Sequence, residues 1–310
     1  MARIVTLKIL RAVITLLIAV SLVFFFIRLS GDPALALAPP DAPPAVVEEY
    51  RTRLGLDQPL LTQYLRYIGG MFQGDFGYSI HTGRSAQSLF FERLPATLLL
   101  GLTALAIALG LGVTLGLIAA LRHNSIIDRF VMGFSVFAFA MPNFFFGLLV
   151  VLSGALFFGV FFGGSGATRS FGQLLAPAAT LGLAAMGSFA RFTRSSLLET
   201  LNKPFMTALA VRGVPPRRRL LRHAIPNAAI PVVTMLGLSL GGIVAGAVVT
   251  EQVFSWPGIG RLLIRSVETR DIAVLQFIVL MVALTMTVTN LLVDLVYVIL
   301  DPRMRGGQNG

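Results

Sequence analysis

Apolar residues gather in six long runs, at 9–29, 95–121, 130–156, 174–198, 228–250 and 272–300. Each is about 20 residues or longer, and at ~1.5 Å per residue that is enough to cross a hydrocarbon core of ~30 Å. The pattern predicts an all-α polytopic membrane protein with six transmembrane helices in a single domain, 1–310. Ala36-Leu37-Ala38 imitates a signal-peptidase site, but the first run exceeds the ~7–15 residues of a signal peptide and is read as an uncleaved span.

The longest polar excursion is 30–94. It holds Gly31-Asp32-Pro33, the proline-rich 39–44, an amphipathic helix near 46–54 and an aromatic-rich 64–76. Such a segment suits the outer mouth of a bundle or an external partner. Pro95 is expected to open the second span, whose Gly101, Gly110, Gly112 and Gly116 permit close helix packing. Met141-Pro142-Asn143 falls inside the third span and predicts a kink. Pro142 and Asn143 are therefore pathway candidates, with packing relief as the competing explanation. A glycine- and phenylalanine-rich turn, 157–173, leads to the fourth span.

Composition agrees with the pattern: 55% of residues are hydrophobic and 13% charged, and mean hydropathy is +0.82. No soluble domain of this length hides so much apolar surface. The net charge of +11 first suggests nucleic acid. Its placement removes that reading. With both termini cytoplasmic, 15 of the 25 Lys and Arg face the cytoplasm with three acids, and the ten outside are matched by ten acids. The surplus follows the positive-inside rule, so the charge expresses topology.

The 31 residues 201–231 are the most informative stretch, basic and broken by proline and glycine. Pro204 suits the first turn of a helix running to about Arg212, and Gly213 permits the left-handed turn that ends it. Pro215 and Pro216 suit the start of a second short helix carrying Arg217, Arg218, Arg219 and Arg222, which Pro226 is expected to kink or stop. Two short helices joined at a glycine form a stiff cytoplasmic lever, 201–226. A lipid-binding basic loop is the other reading of the same residues.

Chemistry is scarce. There is no cysteine and no Walker loop, and His81, His123 and His223 fall in three separate loops. No paired acids lie within the spans. Asp294 is the one acid in a span, suited to helix–helix hydrogen bonding or, in a stand-alone secondary transporter or channel, to an ion site. At 251–271 the chain leaves the fifth span through Glu251, the only tryptophan Trp256, Pro257 and Gly258, a compact turn read either as an interfacial aromatic anchor or as an outer gate.

These residues resemble the permease subunits of binding-protein-dependent ABC importers of the dipeptide, oligopeptide and nickel type. The likeness runs through Arg28-Leu29-Ser30-Gly31-Asp32-Pro33, Leu54-Gly55-Leu56-Asp57-Gln58-Pro59, Gly74-Asp75-Phe76-Gly77 and Glu92-Arg93-Leu94-Pro95-Ala96-Thr97. It continues through 189–198, through 251–260 and through Asp301-Pro302-Arg303. The stretch 201–231 resembles the family's coupling motif, with Gly213 on the glycine and Ile225-Pro226 on the L-P. It departs at Thr207, Leu209 and His223. The resemblance implies a type I importer permease fold in a prokaryotic cytoplasmic membrane. It further implies a coupling role for Thr207, Ala208, Gly213, Arg217, Arg218, Ile225 and Pro226. The implied partners are a second homologous permease, two ATP-binding subunits that hold ATP and Mg, and an extracytoplasmic binding protein. Membrane lipid surrounds the spans; nucleic acid is not a partner. This chain is expected to bind no cofactor and to be no enzyme itself. Peptides, nickel complexes, glutathione and oligosaccharides all fit such a family.

Overall fold

The computed structural model describes residues 2–29, 34–35, 41–53, 55–159, 162 and 171–300. Gly31-Asp32-Pro33, Ala36-Leu37-Ala38, Pro39 and Pro40, Leu54, most of the 157–173 turn, and Asp301-Pro302-Arg303 lie outside the described residues, as does the side chain of Asp294. Secondary structure is helical, and among the described residues the sole extended pairing is a bridge between Tyr78 and Ser85. Among the described residues, five helices are long and apolar enough to cross a membrane, or six if a bent pair counts as one.

Two compact units divide the chain, Met1–Pro95 with Gly258–Thr287, and Ala96–Pro257 with Val288–Gly310. In the first, α1 (Ala2–Leu29), α2 (Pro44–Arg53) and α3 (Leu60–Phe72) precede the opening of α4 (Ala86–Leu121). Helix α4 therefore starts nine residues before Pro95, and the expectation that Pro95 opens it is corrected. Ser85 supplies the reason: its Oγ accepts the amide of Ser88 at 3.3 Å, capping a helix that carries Pro95 inside it. Later in this unit α12 (Ile259–Glu268) leads into α13 (Ile272–Leu300). Phe277 of α13 packs edge-on against Phe76 and Phe90, and Ser79 Oγ donates to the buried Asp271 at 2.5 Å.

In the second unit, α5 (Ile126–Ala140) and α6 (Asn143–Phe158) replace the kinked third span. They meet at 96°, a break rather than a kink. Met141 precedes a proline, so its helical conformation is disfavoured, and both Met141 (ψ 125°) and Pro142 (ψ 128°) leave the helical region. Helix α7 (Phe171–Leu201) packs on α5 and α6. Close approach is built on absent side chains. A Cβ on Gly116 would lie 2.5 Å from the Ala190 carbonyl, and one on Gly187 would collide with the backbone of Ser135.

Helix α8 (Pro204–Val211) is followed by α9 (Pro216–Arg218), a π-helical turn (Arg219–Ala224) and α10 (Ile225–Gly246). Pro226, expected to kink or stop this run, does not stop it. The amide of Ile225 bonds five residues back, to Leu220. That wider turn relieves the clash a proline ring makes with the carbonyl four residues before it. The segment 251–271 is also more helical than a turn, because α11 (Val248–Val253) includes Glu251 and α12 begins at Ile259.

Candidate functional site

Four features of the second unit stand out, the first being the elbow around Gly213. Pro204 occupies the first turn of α8. Gly213 has φ +73°, its amide donates to Ala210 (3.0 Å), and the amide of Val214 donates to Leu209 (3.1 Å). These two bonds make a Schellman terminator, which turns the chain through the left-handed region. Inward, Met206 joins Ala120, Leu197, Ala224 and Ala228 in one buried cluster, with Leu209 and Leu220 packed on it. Outward, Thr207, Ala208, Arg212, Arg217 and Arg218 are exposed, as are the apolar Val211 and Leu221. Pro226 is exposed and Ile225 half-buried. Arg219 Nε is buried with no hydrogen-bond partner among the described residues. The elbow is thus anchored on one side and presents a mixed cationic and apolar face on the other.

An ion pair that no local sequence signal announced lies at the start of α5. Arg194 of α7 donates to Asp128 from two nitrogens, at 2.6 and 2.8 Å. The Asp128 side chain is 4% exposed, and it also accepts the amide of Asn124 at 2.9 Å. Such a bidentate pair fixes orientation as well as separation. The partners are 66 residues apart, so only the fold joins them. Ser125 Oγ accepts the Asp128 amide and so caps the start of α5.

The third feature is a cavity of about 390 Å³. Asn143, Ser188 and Ser239 contribute its polar lining, and Gly101, Gly242 and Phe139 stand among its apolar walls. Of the two kink residues, Asn143 reaches this space while Pro142 sets the turn. The Arg191 guanidinium lies over the Phe139 ring, 4.6 Å from its centre.

The fourth is the turn after α10. Glu251 is fully buried and accepts the Thr97 hydroxyl at 2.6 Å. Trp256 is 5% exposed, packs with Ala96, Leu100 and Ala178, and donates its indole N–H to the Ala96 carbonyl at 2.9 Å. An interfacial anchor would leave its ring at the surface, so that reading fails. Ser255 holds φ +50° in a second Schellman turn, closed by Trp256 N–H to the Glu251 carbonyl at 2.7 Å. Pro257 follows outside any helix, and Gly258, with extended backbone, precedes α12 in the first unit. The sequence brings in Thr97 only through the likeness of Glu92–Thr97, because a threonine in an apolar run carries no signal of its buried acceptor.

Residues 112–306 match the family described as binding-protein-dependent transport system inner membrane component, and residues 1–101 match its N-terminal companion. The chain is 39% identical over 292 residues to the glutathione transport system permease protein GsiC of Escherichia coli (strain K12), covering 94% of this chain and 95% of that protein. The namesake of Salmonella paratyphi A is 40% identical over 294 residues, with the same coverage.

Proposed function

Because the chain belongs to the binding-protein-dependent inner membrane components, the permease subunits of ABC importers, we propose that its elbow is the seat of an ATP-binding partner and its cavity part of a path for small peptide-like solutes. Glutathione is the solute in the relatives' name and the first to test. ATP and Mg belong on two partner subunits, a second permease completes the path, and an extracytoplasmic binding protein delivers the solute. Both chain termini lie in the cytoplasm of a prokaryotic cell.

The observation that carries this reading is the continuity of the elbow with α10. The rod that begins at Pro216 contributes Ser239 and Gly242 to the cavity. At ~1.5 Å per residue the cavity lies about 30 Å from Arg218. A push on α8 and α9 therefore reaches the cavity wall through one helix, and the buried cluster around Met206 prevents the push from being absorbed locally. Rigid-body motion of packed helices needs such a connection.

Purification of the tagged chain from its native membrane, with mass spectrometry of what accompanies it, tests the partners. Labelled glutathione uptake into vesicles containing the purified assembly tests the solute. The expected result is a co-purifying ATP-binding subunit and ATP-dependent uptake that unlabelled glutathione or short peptides suppress. Uptake by the chain alone, without any ATP-binding subunit, would overturn the reading.

A further inference from the structure

We propose that α3 is not part of a water-facing excursion but lies in the membrane, its outer stripe against the acyl chains of the leaflet that holds the C-terminal end of α1. The inference concerns the first unit alone and stands whether or not the proposed partners are correct.

The depth of α3 follows from what it touches. Arg11 and Arg28 bracket the apolar part of α1, 17 residues apart in the sequence, which is about 26 Å of helix. Charged ends of this kind settle at the two headgroup levels. Tyr64 of α3 shares a hydrogen bond of 2.7 Å with Ser21 and stacks on Phe25 at 5.7 Å between ring centres. Tyr67 stacks on Phe24 at 5.6 Å. Ser21 is seven residues inside Arg28, so this contact lies about 10 Å below the charged end. A helix fastened there is at acyl-chain depth along part of its length.

The residues of α3 divide accordingly into three faces. Tyr64, Tyr67 and Met71 are spaced to form one stripe, of which the tyrosines meet α1. Gln63, Arg66 and Gly70 form another and line a cavity of about 340 Å³ with Arg28, Asp75 and Asp271. Leu61, Leu65, Ile68 and Phe72 form the third, at the i, i+4, i+7, i+11 spacing of a helix stripe. Leu61 is 68% exposed, Leu65 60% and Phe72 85%. An apolar stripe at that depth, opposite a polar cavity, suits hydrocarbon rather than water.

The chain has no cysteine, so single-cysteine variants need no background substitutions. Leu65→Cys and Phe72→Cys, each labelled with a polarity-sensitive fluorophore in full-length protein in phosphatidylcholine vesicles, are compared with Thr82→Cys on an exposed loop. Replacing part of the lipid with phosphatidylcholine carrying a nitroxide high on its acyl chain should quench both α3 labels at least twofold and leave Thr82→Cys unchanged. Aqueous iodide should show the reverse order. Water-like emission with iodide quenching at both α3 sites overturns the proposal. Blue-shifted emission that neither quencher reaches overturns it too, in favour of a protein partner on the stripe. Two sites guard against one substitution disturbing its own surroundings.

Discussion

Replacing Gly213 isolates the geometry of the elbow from its chemistry. A Cβ built there meets nothing within 4 Å, while the backbone sits at φ +73°. The cost of a substitution is therefore conformational rather than steric with neighbours. Alanine in the left-handed region costs about 1–2 kcal/mol, asparagine less, and a β-branched valine more than either. One to two kcal/mol lowers the ratio of correctly aimed to misaimed elbows about 5–30-fold. Substrate-stimulated ATP hydrolysis and uptake should then fall in the order glycine, asparagine, alanine, valine. Gly213→Asn should remain near wild type and Gly213→Val near zero, with every variant inserting into the membrane. Arg218→Ala should be mild, because an exposed ion pair contributes about 0–1 kcal/mol. The assay is ATPase activity and uptake in reconstituted vesicles, with assembly checked by co-purification. If Gly213→Val assembles and transports like wild type, the lever is wrong and the stretch is a lipid-facing basic loop. If Gly213→Asn fails as completely as valine, backbone conformation is not what the glycine supplies.

Arg194→Ala strands the buried Asp128 carboxylate and should destabilise by about 2–4 kcal/mol, more than Asp128→Ala, which leaves a partly exposed guanidinium that water reaches; thermal unfolding in detergent ranks the two. Trp256→Phe removes the bond to Ala96 at a cost of about 1 kcal/mol, whereas Trp256→Ala empties a buried site at about 3–5 kcal/mol and should raise ATP hydrolysis without substrate; equal basal rates would make the tryptophan a packing residue only. For topology, Ser79 is buried against Asp271 and makes a poor reporter; a cysteine at the exposed Thr82 should react with an impermeant reagent from outside, and one at Arg122 only after permeabilisation, the opposite pattern reversing the orientation argued from charge.

Local physics was readable wherever one residue type dictates one conformation. Pro204, Gly213 and the paired prolines 215 and 216 placed two helices and the turn between them, because each acts through its own backbone angles. The break at Met141-Pro142 was legible as a position but not as a 96° angle, since two successive extended residues add their effects. Of the two outcomes expected at Pro226, a kink or a stop, the stop is excluded for a related reason: a proline forbids a regular α turn, yet a π turn satisfies the same restriction without ending the helix. Asp128 and Arg194 were visible only as charges to be counted. Their pairing depends on α5 lying along α7, and that follows from small residues such as Gly187, whose role is to be absent. Trp256 was open to two readings, an interfacial anchor and an outer gate, because sequence shows a polar N–H but not the carbonyl of Ala96 that receives it.

Each bond in the π turn at Arg219–Ala224 encloses one residue more than an α-helical bond. Deleting one residue there would close the wide turn as an ordinary α turn, so the helical stretches on either side would keep nearly the same phase. Deleting one residue from a regular stretch of α10 would instead rotate everything before it by about 100° about the helix axis. The wide turn is thus a place on this rod where the count of residues can change while Arg217 and Arg218 keep their aim. What such a deletion gives up is room for Pro226, whose ring would again meet the carbonyl four residues before it.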